Sequence, residues 1–408
     1  MMSQKQVLDV TTPVYLDKFT CLGPSCPDNC CYGWTVTVDH ETYGRLRGLP
    51  DKELKPVIQH ALHRGKGKSG SWDYGYLSQK QDASRSCELL DGEGLCRLQK
   101  KCGEQILPDI CSSFPRVTNV IDGQVEQFAT MACPEVTRLI FAEHAPFDLI
   151  VKKLEVRTGS VSRQADMKKN SPLSKLRAFL LALLATQEIP TWKSLAVTQL
   201  IVEDWLAHSD QKQNIDELIE PFLRMWEERV LDGSLLQELD GLRRHDLLHV
   251  KVMAAASRIR SEIIFRDIRY LQLIEEALVG LSLGVEGADD QVLAANFAKA
   301  KEVVEVDALL RRVSLNHMVS NYFQSALDLV GDAQRLSMEY LMLRFWLVGL
   351  SLARKRTLRQ EEVVELVYIF YRVNIHTPSY LVKCSQEFIA AGMNKVEHWM
   401  LILPLDAA

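Results

Sequence analysis

Apolar positions along the chain follow two different patterns, which change over near residue 172. Beyond that point they recur every three or four residues. The clearest stripe is Ile215, Leu218, Ile219, Phe222, Leu223, Trp226 and Val230, the spacing of one face of a helix. Similar segments predict helices at about 173–186, 192–207, 245–282, 291–311, 313–330, 335–354, 360–373, 378–391 and 394–403. Tyr340–Leu352 is apolar almost all round, which predicts a central, buried helix. No fixed-period repeat runs through these segments.

Residues 1–135 follow no single period. Tyr15–Cys21 reads as a short extended run, and Gly33–Val38 alternates and is β-branched, as a strand does. Asp39 fits a helix N-cap, with the helix reaching Leu46. Leu54–His63 predicts another helix, Arg64–Ser71 a glycine-rich loop and Trp72–Leu77 an extended run. Asp91-Gly92 and Asp122-Gly123 sit between apolar runs and predict hairpin turns. Pro134 opens a helix, where its missing N–H costs little. Lys152–Ser171 is polar and without period, which predicts a linker. The fold class is mostly α: a cysteine-rich, irregular α+β head over residues 1–150, then an all-helical body over residues 172–408.

Composition narrows the function. The 408 residues are 47% apolar and 25% charged, an ordinary folded balance. A net charge of −5 argues against nucleic acid as a partner. No uninterrupted apolar run reaches the roughly 18 residues of a membrane span. Met1–Val10 lacks a signal pattern, so the expectation is a cytoplasmic protein without a membrane partner.

Nine of the ten cysteines fall in the first 133 residues: Cys21, Cys26, Cys30, Cys31, Cys87, Cys96, Cys102, Cys111 and Cys133. Only Cys384 lies beyond. A chain this long needs no disulfide staples, and a reducing compartment favours thiolate ligation of a metal or cluster. The spacing C-x4-C-x3-C-C-x-G-W spans Cys21–Trp34, and Cys87, Cys96, Cys111-Ser112-Ser113-Phe114-Pro115-Arg116 and Ala132-Cys133-Pro134-Glu135 follow. Adjacent Cys30 and Cys31 diverge in extended backbone, which suggests two sites, or one ligand and one packing thiol. Zinc ribbons need C-x2-C pairs, and there are none. A C-x3-C-x2-C radical signature fails at Gly33. The glycine-rich Arg64–Gly70 neither follows a clear strand nor opens a helix, as a phosphate cradle must.

These motifs resemble a known family. Tyr15, Phe19, Cys21-Leu22-Gly23, Cys26, Cys30-Cys31-Tyr32-Gly33-Trp34 and Asp39 look like the opening of bacterial flagellin lysine N-methylases. Cys87, Cys96, the Cys111–Arg116 run and Cys133-Pro134-Glu135 resemble the same family, and also the CxxCxxCC zinc- or iron-chelating domain family. The likeness covers about residues 15–140. It implies a protein-lysine N-methyltransferase that moves methyl groups from S-adenosylmethionine to lysine ε-amines of flagellin, the protein partner. It also implies a [4Fe–4S] cluster, with Cys21, Cys26, Cys30, Cys31, Cys87, Cys96, Cys111 and Cys133 as candidate metal ligands. Cys102 and Cys384 lie outside the pattern. The first step, C-x4-C, is wider than that of the chelating family.

Lysine methylation sets chemical demands. The free amine has a pKa near 10.4, about the model-peptide value, so a base or a desolvated site must release its proton. Aromatic faces favour cationic sulfonium and methylammonium groups. Tyr368–Tyr380 is densest in aromatic and polar groups, and His376, Tyr380 and Tyr371 are the candidate catalytic residues, although aromatics at helical spacing are more often core. Arg116, whose fork matches a carboxylate, and Trp34 are the candidate cofactor-binding residues. The usual doubly wound fold for such donors has no counterpart in the pattern. The alternative function is a metal-binding interaction protein, holding zinc or iron at a structural cysteine site.

Overall fold

The computed structural model describes residues 5–68, 73–82, 84–121, 123–142, 147–157, 161–165, 172–209, 215–257, 259, 268–282, 304–324, 328–376 and 378–404. The chain divides into two compact units: residues 1–120 with 124–164, and residues 121–123 with 165–408. The first is an irregular α+β head and the second an all-helical body.

Two sheets build the head. The larger holds β1 (Lys5–Pro13), β5 (Arg116–Ile121), β6 (Gln124–Ala129), β7 (Leu149–Arg157) and β8 (Val161–Ala165) in the order β7-β1-β6-β5-β8. β1 runs antiparallel to β7 over its whole length, from Lys5 opposite Arg157 to Pro13 opposite Leu149, and parallel to β6. The smaller sheet orders β2 (Val36–Val38), β4 (Gly75–Leu77) and β3 (Leu62–Arg64) as β2-β4-β3. Inward residues of this sheet meet α1 (His40–Arg47), α2 (Leu54–Ala61) and α3 (Arg97–Cys102) in a core that includes Val36, Val38, Leu46, Ile58, Leu77, Leu89 and Leu98. Asp39 caps α1 as its sequence position predicts, accepting from the Glu41 and Thr42 amides at 2.9 Å. α4 (Asp109–Ser113) and α5 (Pro134–Ala142) complete the unit.

Several expectations for the head are corrected. Val14–Lys18 is a 3-10 helix, not part of an extended run. Only Tyr15 is buried in it, and its hydroxyl accepts from the Ala129 amide at 3.1 Å, so one anchor in a tight turn replaces alternation. The helix from Leu54 ends at Ala61, because Leu62–Arg64 pairs with Gly75–Leu77. Trp72 and Asp122 lie outside the described residues, although β5 and β6 flank the expected turn. Asp91 makes a tight turn closed by the Leu90–Cys96 bridge. The polar stretch read as a linker holds most of β7 and all of β8. β7 is an edge strand in which Lys153 is exposed and Lys152 pairs with Asp17, and edges of this kind carry charge where core strands carry apolar alternation.

The body contains α6 (Pro172–Ala185), α7 (Thr191–Ser209), α8 (Ile215–Leu231), α9 (Ser234–Asp240), α10 (Asp246–Ser257), α11 (Ile268–Gly280), α12 (Val304–Asn321), α13 (Leu329–Arg354), α14 (Gln360–His376), α15 (Pro378–Ala390) and α16 (Val396–Trp399). Every residue from Leu336 to Leu350 of α13 is buried, so this is the central helix the pattern predicts. By length and composition α13 would also suit a membrane, but 83% of its apolar window is buried inside the body. The helix expected at 245–282 is α10 and α11, with residues 260–267 outside the described set. Likewise 291–303 of the segment 291–311 lies outside it. The helix expected at 313–330 ends at Asn321. Phe323 turns to φ +54° there, and its amide donates to Asp332 at 2.8 Å.

Candidate functional site

The head gathers cysteines on one wall of its small core. Cys31, Cys96, Cys102 and Cys111, with Trp34, pack against that core, and Cys87 is buried in it. The gathering has local causes. The Cys87 amide donates to the Cys31 carbonyl at 2.8 Å. Asn29 accepts from the Cys31 amide at 2.9 Å and donates to the Gly94 carbonyl at 2.6 Å, which ties the Cys30-Cys31 loop to the Asp91 turn. Gly33 and Gly94 take φ of +79° and +76° beside these contacts, where a side chain would be strained. The Trp34 indole donates to the Cys30 carbonyl at 2.7 Å, so Trp34 braces the loop.

Five thiols therefore lie within electrostatic reach of one another: Cys30, Cys31, Cys87, Cys96 and Cys111. Cys26 and Cys133 flank them, and Cys21 is exposed. Burial pushes Cys87 up to about 11 and Cys133 up to about 12. Cys111 is raised well above the ordinary thiol, first by burial and then by the charges of Cys96, Cys87 and Cys30. The hydrogen bond between Cys30 and Cys31 lowers the first and raises the second. All ten cysteines are free thiols.

The donor type suits a thiophilic metal or an iron–sulfur cluster, whose positive charge would reverse these shifts. The arrangement is not a closed ligand set. Among the described residues no three histidine, cysteine or acidic side chains stand together as a metal-holding group. The eight candidate ligands therefore do not form one such group among the described residues, and no chemical step is derived through a cluster.

Arg116 opens β5, three residues after α4, whose Cys111 belongs to the thiol group. Its guanidinium lies 5.5 Å from the Phe19 ring, and among the described residues no carboxylate pairs with it. It lines a cavity of about 270 Å³ with Ser112, Ser113, Thr118, Gln127, Glu104 and Arg157. Arg157 is committed elsewhere, donating to the Glu104 carbonyl at 3.0 Å and pairing with Asp109 at 3.5 Å. Arg116 is the cation left to meet an anionic group there.

In the body, the aromatic stretch expected to carry chemistry divides. Tyr380 is fully buried, with its hydroxyl 3.2 Å from that of Tyr270 and close to Cys384, an ordinary core position. His376 closes α14, and its side chain lies outside the described residues. Tyr371 is also buried but polar in its contacts. Its hydroxyl donates to Glu339 Oε2 at 3.1 Å. Tyr322 donates to Glu339 Oε1, and His317 Nδ1 bonds Oε2. The His317 ring lies 4.9 Å from Tyr322 and 4.7 Å from Tyr371. α12, α13 and α14 each contribute to this group.

A family model for the FliB lysine N-methylase C-terminal domain matches residues 177–402, more than half of the chain. The chain belongs to that family. It is 34% identical over 133 residues to a lysine-N-methylase of Salmonella typhimurium, a match covering 33% of this chain and 32% of the relative. It is also 33% identical over 146 residues to the flagellar biosynthetic protein FliU of Salmonella muenchen, covering 36% of this chain and 85% of that protein. The matched region thus spans about a third of the lysine-N-methylase's length. No solved structure matches the chain significantly.

The FliB-type body, matched over 177–402, contains the whole His317–Glu339 group. Neither residue stands out in a motif. Glu339 carries one usable signal: it is an acid next to Tyr340, at the start of the most apolar stretch of the chain. A buried charge requires partners, and only the fold shows them.

Proposed function

We propose that this chain is a protein-lysine N-methyltransferase that uses S-adenosylmethionine to methylate lysine ε-amines of flagellin. The family match of the body over 177–402 is the observation that carries this reading, and the printed names of the relatives agree with it. Among the described residues there is no doubly wound parallel sheet, so the donor site is not the common one. The cavity beside Arg116 supports a donor site in the head, its guanidinium taking the methionine carboxylate as a planar fork does. Trp34, braced on Cys30, would shield the thiol wall from water. Cytoplasmic residence agrees with ten cysteines in the thiol form.

A [4Fe–4S] cluster on the head cysteines is part of the proposal. Bound there, it would supply thiolate-held iron; the convergent Cys30, Cys31, Cys87, Cys96 and Cys111 are the first candidates to hold it, and the flanking Cys26, Cys133 and Cys21 the next. The test is anaerobic purification followed by iron, sulfide and zinc analysis, titration with S-adenosylmethionine by calorimetry, and an assay with flagellin and labelled donor. Cys111→Ala should lose iron and fold less stably. Arg116→Ala should keep iron and weaken donor binding. Stoichiometric zinc without sulfide would remove the cluster. A protein that binds metal but no donor would leave the metal-binding interaction protein as the better reading.

A further inference from the structure

The cavity beside Arg116 is lined from the head alone, and its lining offers more than a fork for a carboxylate. β5 and β6 are neighbours in the larger sheet and bring Thr118 and Gln127 to it. Both are buried, Thr118 being 1% exposed and Gln127 9%. The Gln127 amide donates to the Thr118 hydroxyl at 3.0 Å. Neither side chain hydrogen-bonds any other described residue. A threonine hydroxyl that accepts one bond keeps a hydrogen to donate, and the Gln127 amide keeps its oxygen and a second N–H. Unmade bonds of buried polar groups are costly, so a pair left half-used at a cavity wall is suited to a polar ligand.

The charges around the cavity say which kind. Arg116 brings a free guanidinium fork, whereas Arg157 is held by the Glu104 carbonyl at 3.0 Å and by Asp109 at 3.5 Å. Glu104 and Glu155 also line the cavity, and both are exposed. The Ser112 and Ser113 hydroxyls donate to the Asp109 and Ile110 carbonyls at 3.0 and 3.4 Å, so toward the cavity their oxygens act as acceptors. A phosphate, charged twice, would meet the two carboxylates unfavourably. A zwitterion meets both signs: its anion finds the arginine, and its cation finds the acceptors.

We propose that this cavity is a site for an α-amino-acid end group and that Thr118 and Gln127 determine its specificity. The α-carboxylate takes the Arg116 fork and the Thr118 hydroxyl hydrogen. The α-ammonium donates to the Gln127 amide oxygen and to the Ser112 and Ser113 oxygens. The inference rests on the methylase reading, in which the donor S-adenosylmethionine carries such an end group. It adds that recognition here is of the end group and not of the sulfonium. The demethylated product, S-adenosylhomocysteine, keeps the same end group, so it competes with the donor for the site.

The experiment is calorimetry on the full chain, prepared anaerobically. S-adenosylmethionine, S-adenosylhomocysteine and decarboxylated S-adenosylmethionine are titrated into wild type, Thr118→Val, Thr118→Ser and Gln127→Met. Wild type should bind donor and product with similar affinity and the decarboxylated compound about 10–100-fold more weakly, the worth of a hydrogen bond to a charged group. Thr118→Val and Gln127→Met should weaken donor and product by the same factor, with circular dichroism unchanged. Thr118→Ser keeps the hydroxyl and should bind as wild type does. Thr118→Val should make no further difference to the decarboxylated compound, because the group that its hydroxyl meets is already gone. A folded Thr118→Val or Gln127→Met that binds the donor as tightly as wild type overturns the proposal and leaves the methylase reading standing. So does a wild type that binds the decarboxylated compound as tightly as the donor, a result that needs no variant to fold. A wild type that binds neither donor nor product and transfers no methyl group defeats the methylase reading itself, and this inference with it.

Discussion

Glu362 shows how a charged side chain is held inside the body. Its carboxylate accepts from Arg354 at 2.8 Å, from Arg356 at 2.6 and 2.8 Å, and from the Arg359 amide at 2.7 Å. Arg354 also grips Glu276 with two bonds of 2.7 and 2.8 Å. Arg356 foremost holds the Glu362 carboxyl well below the usual carboxylate range. The unfolded chain therefore binds this proton more readily than the folded one. The stabilisation is present above the unfolded value, about pH 4.3 for glutamate, and is lost as pH falls toward the folded value. Glu362→Gln should cost about 1–3 kcal/mol at pH 7, as a lost set of charged hydrogen bonds does. Denaturant titrations should show the gap to wild type closing below about pH 4. A gap that is constant from pH 7 to pH 3 would assign the loss to packing. The same scale shows what sequence reasoning missed. Aromatic density pointed to His376, Tyr371 and Tyr380; Tyr371 bonds Glu339, whereas Tyr380 bonds Tyr270 in the core. The His317–Glu339 group joins Glu339 to residues 17 to 32 positions away, a relation no local pattern carries.

At the scale of elements, helical period was a sound guide wherever one face is buried: Ile219, Phe222 and Trp226 all face the core of the body. It failed where burial is slight, as in β7, whose lysines gave no apolar alternation. Small residues carry a second kind of information, legible only in three dimensions. α11 and α13 cross with Gly280 and Gly349 at the contact. A Cβ on Gly349 would come 2.5 Å from the Ala277 carbonyl oxygen and 2.9 Å from its carbon, and one on Gly280 would strike the Gly349 carbonyl. These are backbone atoms and cannot swing away. Gly349→Ala should therefore destabilise by about 1–3 kcal/mol through overpacking, even though alanine gains about 1 kcal/mol over glycine in a helix. Gly44 in α1 is the contrast, since a Cβ there meets nothing within 4 Å. Gly44→Ala should stabilise the head by about 0.5–1 kcal/mol. Equal effects of the two substitutions in thermal unfolding would mean that helix propensity, and not the crossing, decides.

For the whole molecule, each unit owes its stability to a different kind of core. The head's core is small and is finished by cysteines, since Cys87 lies inside it and Cys31, Cys96, Cys102 and Cys111 pack against it. The body has a central helix buried on all sides, and its one cysteine, Cys384, is fully buried near Tyr380 and raised to about 12, chiefly by burial. The change of pattern near residue 172 made the passage from α+β to all-helical structure legible, although β8 places the end of the head's sheet at Ala165. The physical consequence is a separation of stabilities. Metal binding by thiols is linked to the folding of the unit that supplies them, so a chelator should act on the head alone. Calorimetry of anaerobically prepared protein should show two transitions. Removing metal with a chelator should lower the transition that carries the Trp34 environment and leave the helical circular-dichroism transition in place. Cys384→Ser should leave the metal content unchanged and shift only the helical transition, because it alters packing and not ligation. A single transition, or a helical transition that falls with chelation, would mean that the body depends on the head for its fold and that the thiol wall supports the whole chain.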